Sequence, residues 1–263
     1  MITRFAPSPT GPLHLGHAFS ALTAFDLARA HQGQFLLRIE DIDQSRARAE
    51  WEDQIYDDLT WLGLDWPLPV MRQSERLAAY AAALDHLWAR GCLYQCHCSR
   101  RDIQDAVSAP QEGAPMIGPD GIVYPGTCRG GQRPALRPND AVLRLDMKMV
   151  APHLAKTIGD VVLARRDMGT SYHLSVVVDD AAQGITDVVR GADLEDATPI
   201  HNVLQDLLGY PRPRYHHHRL IRDDAGKRLA KRDDARALGK YRAEGATPRD
   251  IRVALGLGPE KPV

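Results

Sequence analysis

A strand, a stiff loop and a helix follow one another at the start of the chain, and this order constrains the fold more than any other stretch. Residues 4–17 read RFAPSPTGPLHLGH, and residues 18–32 contain neither Gly nor Pro. We predict a strand that includes Ile2 and Phe5, a proline-rich loop, and a helix over residues 18–32. The first turn of a helix has unpaired N–H groups and a partial positive charge. This turn is therefore a natural site for phosphate.

Two histidines, His14 and His17, stand three residues apart at this turn. Side chains with that spacing share one side of a helix, so both imidazoles can donate to phosphate oxygens. Gly16 leaves room for a flat group against the backbone. Two alternatives stay open, because such a pair can also cap the helix at the surface or form half of a metal site.

The string APSPTGPLHLGH at residues 6–17 resembles the first signature of class I aminoacyl-tRNA synthetases, in its glutamyl form. The resemblance implies ATP-dependent activation of an amino acid, with Mg2+ accompanying ATP. It places His14, Gly16 and His17 on ATP and gives catalytic roles to the two histidines. A plain nucleotidyltransferase also uses an H-x-G-H string, but it needs neither the acidic strand end nor the cysteines described below.

The composition fits a globular enzyme. The chain has 263 residues, of which 44% are hydrophobic and 25% are charged, enough for a full core. The formal net charge of -1 shows no overall basic field, so any RNA contact needs a local patch. The chain has no run of about 18 apolar residues and no signal-peptide pattern at its start. We expect a cytoplasmic monomer with no membrane contact.

Strand-like and helix-like segments alternate through the first third of the chain. Residues 34–40 and 70–73 have the pattern of strands, whereas residues 47–62 and 75–90 have the pattern of helices. This alternation predicts a parallel sheet with helices on both faces and ligands at the carboxyl ends of the strands. His14 and Glu40 both stand at such ends.

The segment RIEDID at residues 38–43 ends a predicted strand with three acids. Asp41 and Asp43 are as well explained by a solvated, helix-capping turn. Glu40, near a phosphate-binding turn, suits an ammonium group, and the segment resembles the matching string of glutamyl-tRNA synthetases. Arginine binds carboxylates bidentately. The resemblance implies that the residues holding glutamate are Arg4, Phe5, Ala6, Pro7, Ser8, Glu40, Tyr172 and Arg190.

All four cysteines lie between positions 92 and 128. In a cytosolic chain, this clustering suggests a metal before a disulfide. Cys96, Cys98 and Cys128 can close around one tetrahedral zinc ion, for which chemistry alone favours His97 or Cys92 as fourth ligand. His97 would point away if its two neighbours converge. The sequence also resembles the synthetases that glutamylate queuosine in tRNA(Asp), which show C-x-C and Y-x3-C. That resemblance implies Cys96, Cys98, Tyr124 and Cys128 as ligands of a structural zinc, with Cys92 a buried thiol in the preceding helix.

Further strands are predicted over residues 141–146, 159–165, 171–180 and 184–193. Thr198 can cap a helix over residues 199–208. Tyr172 is otherwise a core tyrosine with a satisfied hydroxyl. Arg190 closes an apolar strand, which costs desolvation unless an anion meets it, although Asp187 can be its internal partner.

The basic segment KRLAKR at residues 227–232 follows a strand predicted over residues 215–222 and a glycine turn. Such a segment is most often a solvated surface, but this one resembles the second class I signature. Arg228 replaces a lysine and Ala230 replaces a serine of that signature. The resemblance places Arg228 and Lys231 on ATP and makes Lys231 catalytic. We assign no catalytic role to the histidines at 216–218.

The predicted fold is α/β, a Rossmann-like doubly wound parallel sheet with an inserted zinc-binding subdomain and a short helical C-terminal segment. The predicted divisions are residues 1–90, 91–170, 171–222 and 223–263, the first and third forming the catalytic core. Only 31 residues follow position 232, too few for an anticodon-binding domain. The resemblance thus favours glutamate transfer to queuosine in tRNA(Asp). The alternatives are a truncated or partnered synthetase charging tRNA(Glu) and a non-catalytic RNA-binding relic.

Overall fold

A computed structural model describes residues 1–108, 117–222 and 236–258 of the chain. The chain divides into two compact units. The first contains Met1–Glu75, Gly184–Glu195 and Pro213–Val263, and the second contains Arg76–Gln183 and Asp196–Arg212. The sequence-based boundaries after residues 90, 170 and 222 stay predictions.

The strands of the described residues are β1 (Ile2–Phe5), β2 (Gln34–Ile39), β3 (Met71–Arg72), β4 (Leu93–Cys96), β5 (Ile117–Gly118), β6 (Gly121–Ile122), β7 (Val142–Leu145), β8 (Val162–Ala164), β9 (Asp187–Gly191) and β10 (Arg214–His218). The helices of the same residues are α1 (Leu15–Ala30), α2 (Ala49–Trp61), α3 (Leu77–Ala89), α4 (Arg100–Ser108), α5 (Met147–Val150), α6 (Tyr172–Ala182), α7 (Thr198–Leu208), α8 (Leu238–Ala243) and α9 (Pro248–Ala254). Short 3-10 turns span Gln73–Arg76 and Ala192–Ala197. No helix among these residues is long and apolar enough to cross a lipid bilayer.

The strands of the first unit are parallel. β2 pairs with β1 on one side and with β3 on the other, while β9 pairs with β10. β9 runs beside β1, because the Thr186 amide donates to the Ile2 carbonyl at 3.0 Å. The spatial order is therefore β3, β2, β1, β9, β10. The prediction of an α/β fold with a parallel sheet is confirmed, and the direction of winding reverses between β1 and β9, where such folds bind ligands.

Helix α1 covers this sheet. Its buried residues include Phe19, Leu22 and Phe25, which join Phe5 and Ile39 of the strands in one apolar core. The helix begins at Leu15, three residues before the predicted start, because His14 caps it. Burial of this apolar face fixes the helix, and with it the loop that leads into the helix, against the strands.

The second unit combines an antiparallel sheet with packed helices. Strands β4, β7 and β8 form the sheet in that order, and β5 pairs with β6. Helices α3, α6 and α7 pack against one another. The unit therefore carries both Cys96, the last residue of β4, and the helix that begins at Tyr172.

The prediction of a buried strand over residues 171–180 is wrong, since this segment forms α6. Ser171 caps the helix by accepting a hydrogen bond from the Leu174 amide at 3.5 Å. The segment is buried on nearly all sides between helices. A fully buried helix and a buried strand both read as an apolar run, so periodicity did not separate them.

Two smaller predictions also fail. Thr198 is the first residue of α7, and the N-cap position is Ala197, whose side chain makes no capping hydrogen bond. Cys92 is buried as predicted, but it lies between α3 and β4, not in the preceding helix. Both shifts move an element end by one to three residues, the usual uncertainty of boundaries read from a sequence.

Candidate active site

The loop after β1 is fastened by its own backbone. The Pro7 carbonyl accepts from the Glu40 amide at 2.9 Å, and the Pro9 carbonyl accepts from the Arg48 amide at 3.0 Å. These bonds tie the loop to the end of β2 and to the residue that precedes α2. The loop therefore reaches α1 in one defined path along the carboxyl edge of the sheet.

His14 and His17 form a reciprocal cap at the start of α1. His14 Nδ1 accepts from the Gly16 amide, and His17 Nδ1 accepts from the His14 amide, each at 3.1 Å. The rings are stacked with their centres 3.8 Å apart. Because both Nδ1 atoms accept, each neutral ring carries its proton on Nε2. The capping alternative is thus the observed geometry, and contact with phosphate stays a prediction.

The side of Gly16 that a Cβ would occupy faces the His14 ring. A Cβ there would lie 3.0 Å from His14 Cε1 and 3.1 Å from His14 Nδ1. The imidazole therefore fills the nearest space beside this glycine. The predicted contact of Gly16 with ATP stays a prediction, and the observed need for glycine is the close approach of the capping ring.

Arg4 and Glu40 lie at the carboxyl ends of neighbouring strands. Arg4, buried on β1, donates from Nη1 to the Val189 carbonyl at 3.5 Å. Glu40 follows β2 directly, and its Oε1 lies 3.0 Å from Nη2 of Arg38, whose side chain is fully buried. The structure thus brings both predicted glutamate-binding residues to the edge where the strand order reverses. Sequence analysis gave Arg38 no role, although its place two residues before Glu40 on a strand puts both side chains on one face.

Asp41 and Asp43 organise the turn that follows Glu40. Asp41 Oδ1 accepts from the Ser74 amide at 2.8 Å. Hydrogen bonds from Ser45 and Arg46 lower the pKa of Asp43. Asp43 is therefore explained by its local turn, whereas Asp41 is buried and joins this turn to the 3-10 turn at Ser74.

Residues 5–8 present little side-chain surface. Phe5 is 6% exposed and lies in the apolar core, and Pro7 is also buried. Ala6 and Ser8 are half-buried. A ligand at this loop would meet the backbone of Phe5 and Pro7 and the small side chains of Ala6 and Ser8.

Arg190 is buried on β9, the strand beside β1. Its Nε donates to His217 Nε2 at 3.3 Å, and its guanidinium carbon lies 4.8 Å from the centre of the Tyr215 ring. Asp187, the suggested internal partner, instead bonds Arg214 and His216. The role of His217 escaped sequence analysis, because it depends on the register between β9 and β10.

Tyr172 lies in the second unit, at the first turn of α6. Its ring meets those of His173 and His201 edge-on, with centres 5.5 and 5.9 Å apart. His173 bonds His201 at 3.1 Å and Asp120 at 2.8 Å. Tyr172 and His173 line a cavity of about 660 Å3 in this unit. The glutamate-binding role of Tyr172 stays a prediction.

Arg228 and Lys231 lie outside the described residues, and so does the segment KRLAKR that contains them. The chain after this segment is described and pairs with the candidate site. Ala237 forms a β-bridge with His14, and the Leu238 amide donates to the Leu13 carbonyl at 2.8 Å. The predicted ATP-binding segment thus ends five residues before Ala237, which is held at the start of α1.

Three cysteines of the second unit converge. The Sγ atoms of Cys96, Cys98 and Cys128 all lie within 4.8 Å of one another. Tyr124 Oη lies 3.5 Å from Cys96 Sγ and 3.3 Å from Cys98 Sγ. His97 is exposed and approaches Cys128 only through its backbone amide. The structure therefore gathers the four predicted ligands and leaves the His97 side chain outside.

The electrostatics of this cluster favour the anion at Cys128, whereas burial and hydrogen bonds with the three cysteines raise the pKa of Tyr124. Burial disfavours the thiolate of Cys128, but hydrogen bonds from Tyr124 and the His97 amide outweigh burial and lower its pKa to about 7. Burial raises the pKa of Cys98. A proton is therefore most easily lost from Cys128, which would begin metal binding as a thiolate.

Asp160 forms hydrogen bonds with residues that adjoin the cysteine cluster. Arg129 donates to Asp160 Oδ2 from Nε and Nη2, at 3.1 and 2.6 Å, and the Tyr94 hydroxyl donates to the same oxygen. Arg144 donates to the Asp160 carbonyl at 2.7 Å and lies 3.9 Å from the centre of the Tyr124 ring. This network holds in place the loop that bears Cys128 and the ring of Tyr124, whose hydroxyl oxygen is the predicted fourth ligand.

Comparison with known proteins identifies the family of this chain. Residues 1–116 and 146–258 match the family described as tRNA synthetases class I (E and Q), catalytic domain. The chain is 62% identical to a glutamyl-Q tRNA(Asp) synthetase of Rhodobacter capsulatus, over 98% of this chain and all of that relative. Identity to a protein of the same name from Geobacter sulfurreducens is 44%, over 92% of this chain and 79% of that relative.

Two solved structures are similar as well. A glutamate tRNA ligase from Elizabethkingia meningosepticum, in complex with its amino acid, has a TM-score of 0.73 and 25% identity over 94% of this chain. A glutamate-tRNA synthetase from Elizabethkingia anophelis has a TM-score of 0.74 and 25% identity, again over 94% of this chain. The chain spans 58% and 59% of those two proteins. The resemblance stated from residues 6–17 is confirmed, and the chain belongs to the class I tRNA synthetases (E and Q).

Proposed function

We propose that this protein activates L-glutamate with ATP as glutamyl-adenylate and transfers the glutamyl group to queuosine in the anticodon of tRNA(Asp). One observation carries the activation half: Arg4, Glu40 and Arg190 end adjacent parallel strands of one unit, beside the capped start of α1. The names of the relatives that match nearly the whole chain support the acceptor. Family membership supports a ligase that uses ATP, glutamate and tRNA.

The charges of the substrates dictate the mechanism of activation. An oxygen of the glutamate α-carboxylate attacks the α-phosphorus of ATP, a new P–O bond forms, and the bond to pyrophosphate breaks. Two anions must meet, so catalysis consists of positioning and charge neutralisation, without a protein nucleophile. Nε2–H groups of His14 and His17 and the first turn of α1 supply donors for phosphate. Lys231 and the Mg2+ that accompanies ATP supply positive charge for pyrophosphate.

Each charged group of glutamate has a counterpart in the proposal. Arg4 and Arg190 bind carboxylates, because a guanidinium presents paired donors that match two oxygens. Glu40 binds the α-ammonium group. These contacts would select an amino acid with two carboxylates and exclude neutral side chains.

The cysteine cluster fits a structural zinc ion held by Cys96, Cys98, Tyr124 and Cys128. Zinc–sulfur bonds of about 2.3 Å place tetrahedral ligands roughly 3.8 Å apart. Tyr124 Oη lies 3.5 Å from Cys96 Sγ and 3.3 Å from Cys98 Sγ. Cys98 Sγ lies 3.5 Å from Cys128 Sγ, so all three separations are close to that value. Four protein ligands leave no open position, so the ion would stabilise the second unit and take no part in the reaction.

Transfer of labelled glutamate to defined RNAs tests the acceptor. We expect the purified protein to glutamylate tRNA(Asp) that carries queuosine, and to leave both queuosine-free tRNA(Asp) and tRNA(Glu) unlabelled. Labelling of tRNA(Glu) alone would instead support a synthetase of ordinary specificity. Lys231→Ala should abolish adenylate formation, whereas Lys240→Ala, an exposed lysine of α8, should not. Unchanged activity of Lys231→Ala would contradict the catalytic proposal.

Location and assembly complete the proposal. Queuosine-containing tRNA is met in the cytoplasm, where we place this activity. We also propose that the protein is a monomer. Sedimentation of the purified protein at working concentration would reveal a dimer if the monomer assignment is wrong.

A further inference from the structure

Two aromatic side chains of β10 hold the guanidinium of Arg190. The parallel register of β9 and β10 places His217 opposite Arg190. Arg190 Nε donates to His217 Nε2 at 3.3 Å, and Tyr215 lies under the guanidinium at 4.8 Å. The Tyr215 and His217 rings are nearly parallel, at an interplanar angle of 6°. Arg190 is therefore supported both along one edge and over one face.

Neighbouring histidines on β10 have different environments. Successive side chains of a strand point to opposite faces, so His216 and His218 lie on the other face from His217. His216 bonds Asp187 at 2.8 Å, and His218 meets the Phe19 ring edge-on at 5.0 Å between centres. His217 is thus the member of the run that hydrogen-bonds Arg190, and His216 offers a matched control on the same strand.

The hydrogen bond fixes the protonation state of His217. Nε2 must keep its lone pair to accept from Arg190, so the ring is neutral and carries its proton on Nδ1. Partial burial and the charge of Arg190 lower the pKa of His217, and Glu195 on the adjoining 3-10 turn opposes them. His216 and His218, on the same strand, lower it further.

We propose that neutral His217 is a positioning residue for amino-acid activation, holding Arg190 in the orientation that receives a substrate carboxylate. The inference rests on the proposed function, in which that carboxylate belongs to glutamate. An imidazolium cannot accept a hydrogen bond and repels a neighbouring guanidinium. Protonation of His217 therefore releases Arg190, so glutamate binding weakens at acid pH while ATP binding does not.

Steady-state pyrophosphate exchange tests this inference. We expect His217→Ala to raise KM for glutamate about 10-fold at pH 7.5, the loss of one hydrogen bond to a charged group, with kcat and KM for ATP within about twofold. His217→Gln keeps an acceptor near the position of Nε2 and should restore KM to within about threefold of the wild type. His216→Gln, on the opposite face, should leave KM for glutamate unchanged.

The pH profile separates positioning from a purely structural role. In the wild type, KM for glutamate should rise between pH 7.5 and 5.5, because His217 becomes protonated. In His217→Gln the same profile should be flat, since the amide does not titrate. An unchanged KM in His217→Ala, or the same acid rise in His217→Gln, would overturn the inference.

A second measurement does not depend on glutamate. We expect the NMR titration of the His217 ring to give a pKa below the ordinary value of about 6.5 in the wild type. In Arg190→Leu that pKa should rise by about 0.5 or more, because a neighbouring cation is gone. An unchanged pKa in Arg190→Leu would overturn the inference. A wild type that lacks glutamate-dependent exchange but shows the rise would contradict only the proposed function.

Discussion

Glu40 accepts a hydrogen bond at 3.0 Å from Arg38, a residue whose side chain is completely buried. A buried guanidinium needs an anion, and removal of that anion typically costs about 3 kcal/mol or more. The same carboxylate is proposed to bind the substrate ammonium group. Glu40 therefore contributes to stability and, in the proposal, to substrate binding. The effect of its substitution on stability has to be measured alongside its effect on activity.

We expect Glu40→Gln to lower kcat/KM for glutamate about 100-fold, because the amide keeps a hydrogen bond to Arg38 but loses the negative charge that meets the ammonium group. KM for ATP should change little. Pyrophosphate exchange measures both constants, and thermal unfolding shows whether the variant is folded. Glu50→Gln, at an exposed position of α2, is the matched control. A folded Glu40→Gln enzyme with wild-type kcat/KM would remove Glu40 from the glutamate site.

We expect His14→Asn to separate helix capping from phosphate binding. Asparagine is among the best N-cap residues, so the melting temperature should stay within about 2 °C of the wild type. The imidazole is lost, so kcat for pyrophosphate exchange should fall about 10-fold or more. If Asn supports full activity at this position, His14 is only a cap.

Most of the first unit follows from its sequence because local and global signals agree there. Gly33 and the loop prolines bound α1 and β2 clearly, and alternation of strands and helices leads to a parallel sheet. The segment at residues 171–180 lacked this agreement. It is apolar throughout because helices surround it, and Ser171 was the single local sign of a helix start.

The place of a candidate site residue was predictable where it depends on that residue's own strand end, as for Arg4 and Glu40. Partners set by strand register could not be inferred in the same way. Arg190 was identified, but its contact with His217 requires knowing that β9 and β10 run parallel in that register. Likewise, Asp160 contacts Arg129, beside Cys128, only because the fold brings together two segments that are far apart in the sequence.

We expect about one zinc ion per chain in protein purified without chelators, since a closed thiolate site binds zinc tightly. Cys98→Ser should lose the metal and lower the melting temperature of the protein by several degrees. Tyr124→Phe should weaken zinc retention against a chelator. Zinc content by plasma emission spectrometry provides the measurement.

Cys92→Ala is the control for the metal prediction, because Cys92 is buried away from the cluster and should not affect zinc content. His97→Ala tests the alternative fourth ligand. Loss of zinc in His97→Ala, with full retention in Tyr124→Phe, would show that the ligand set is wrongly assigned.

The buried carboxyl group of Asp58 should make the free energy of unfolding of the protein depend on pH. The side chain is 2% exposed, and its Oδ2 has no hydrogen-bond partner among the described residues. Burial raises the pKa of Asp58 to about 6, with Arg242 opposing and Asp57 adding to the rise. The folded state thus binds this proton more tightly than the unfolded state, whose value is about 3.9. The contribution of protonated Asp58 to stability is fully present below about pH 4 and is lost as the pH rises through 6.

We expect Asp58→Asn to remove this loss and to be more stable than the wild type at pH 7.5 by about 2 kcal/mol. At pH 4 the two proteins should be equally stable. Urea unfolding at both pH values measures the difference, with Asp57→Asn, an exposed neighbour, as control. A variant that is less stable than the wild type at pH 7.5 would show that ionised Asp58 is well satisfied.

The central claim is that strand ends of the first unit hold a dicarboxylic amino acid beside ATP at the capped start of α1. Exchange of labelled pyrophosphate into ATP, with single amino acids and no RNA, tests it most directly. We predict exchange with L-glutamate and none with glutamine, whose side chain is neutral. Exchange with another amino acid but not with glutamate would contradict the account.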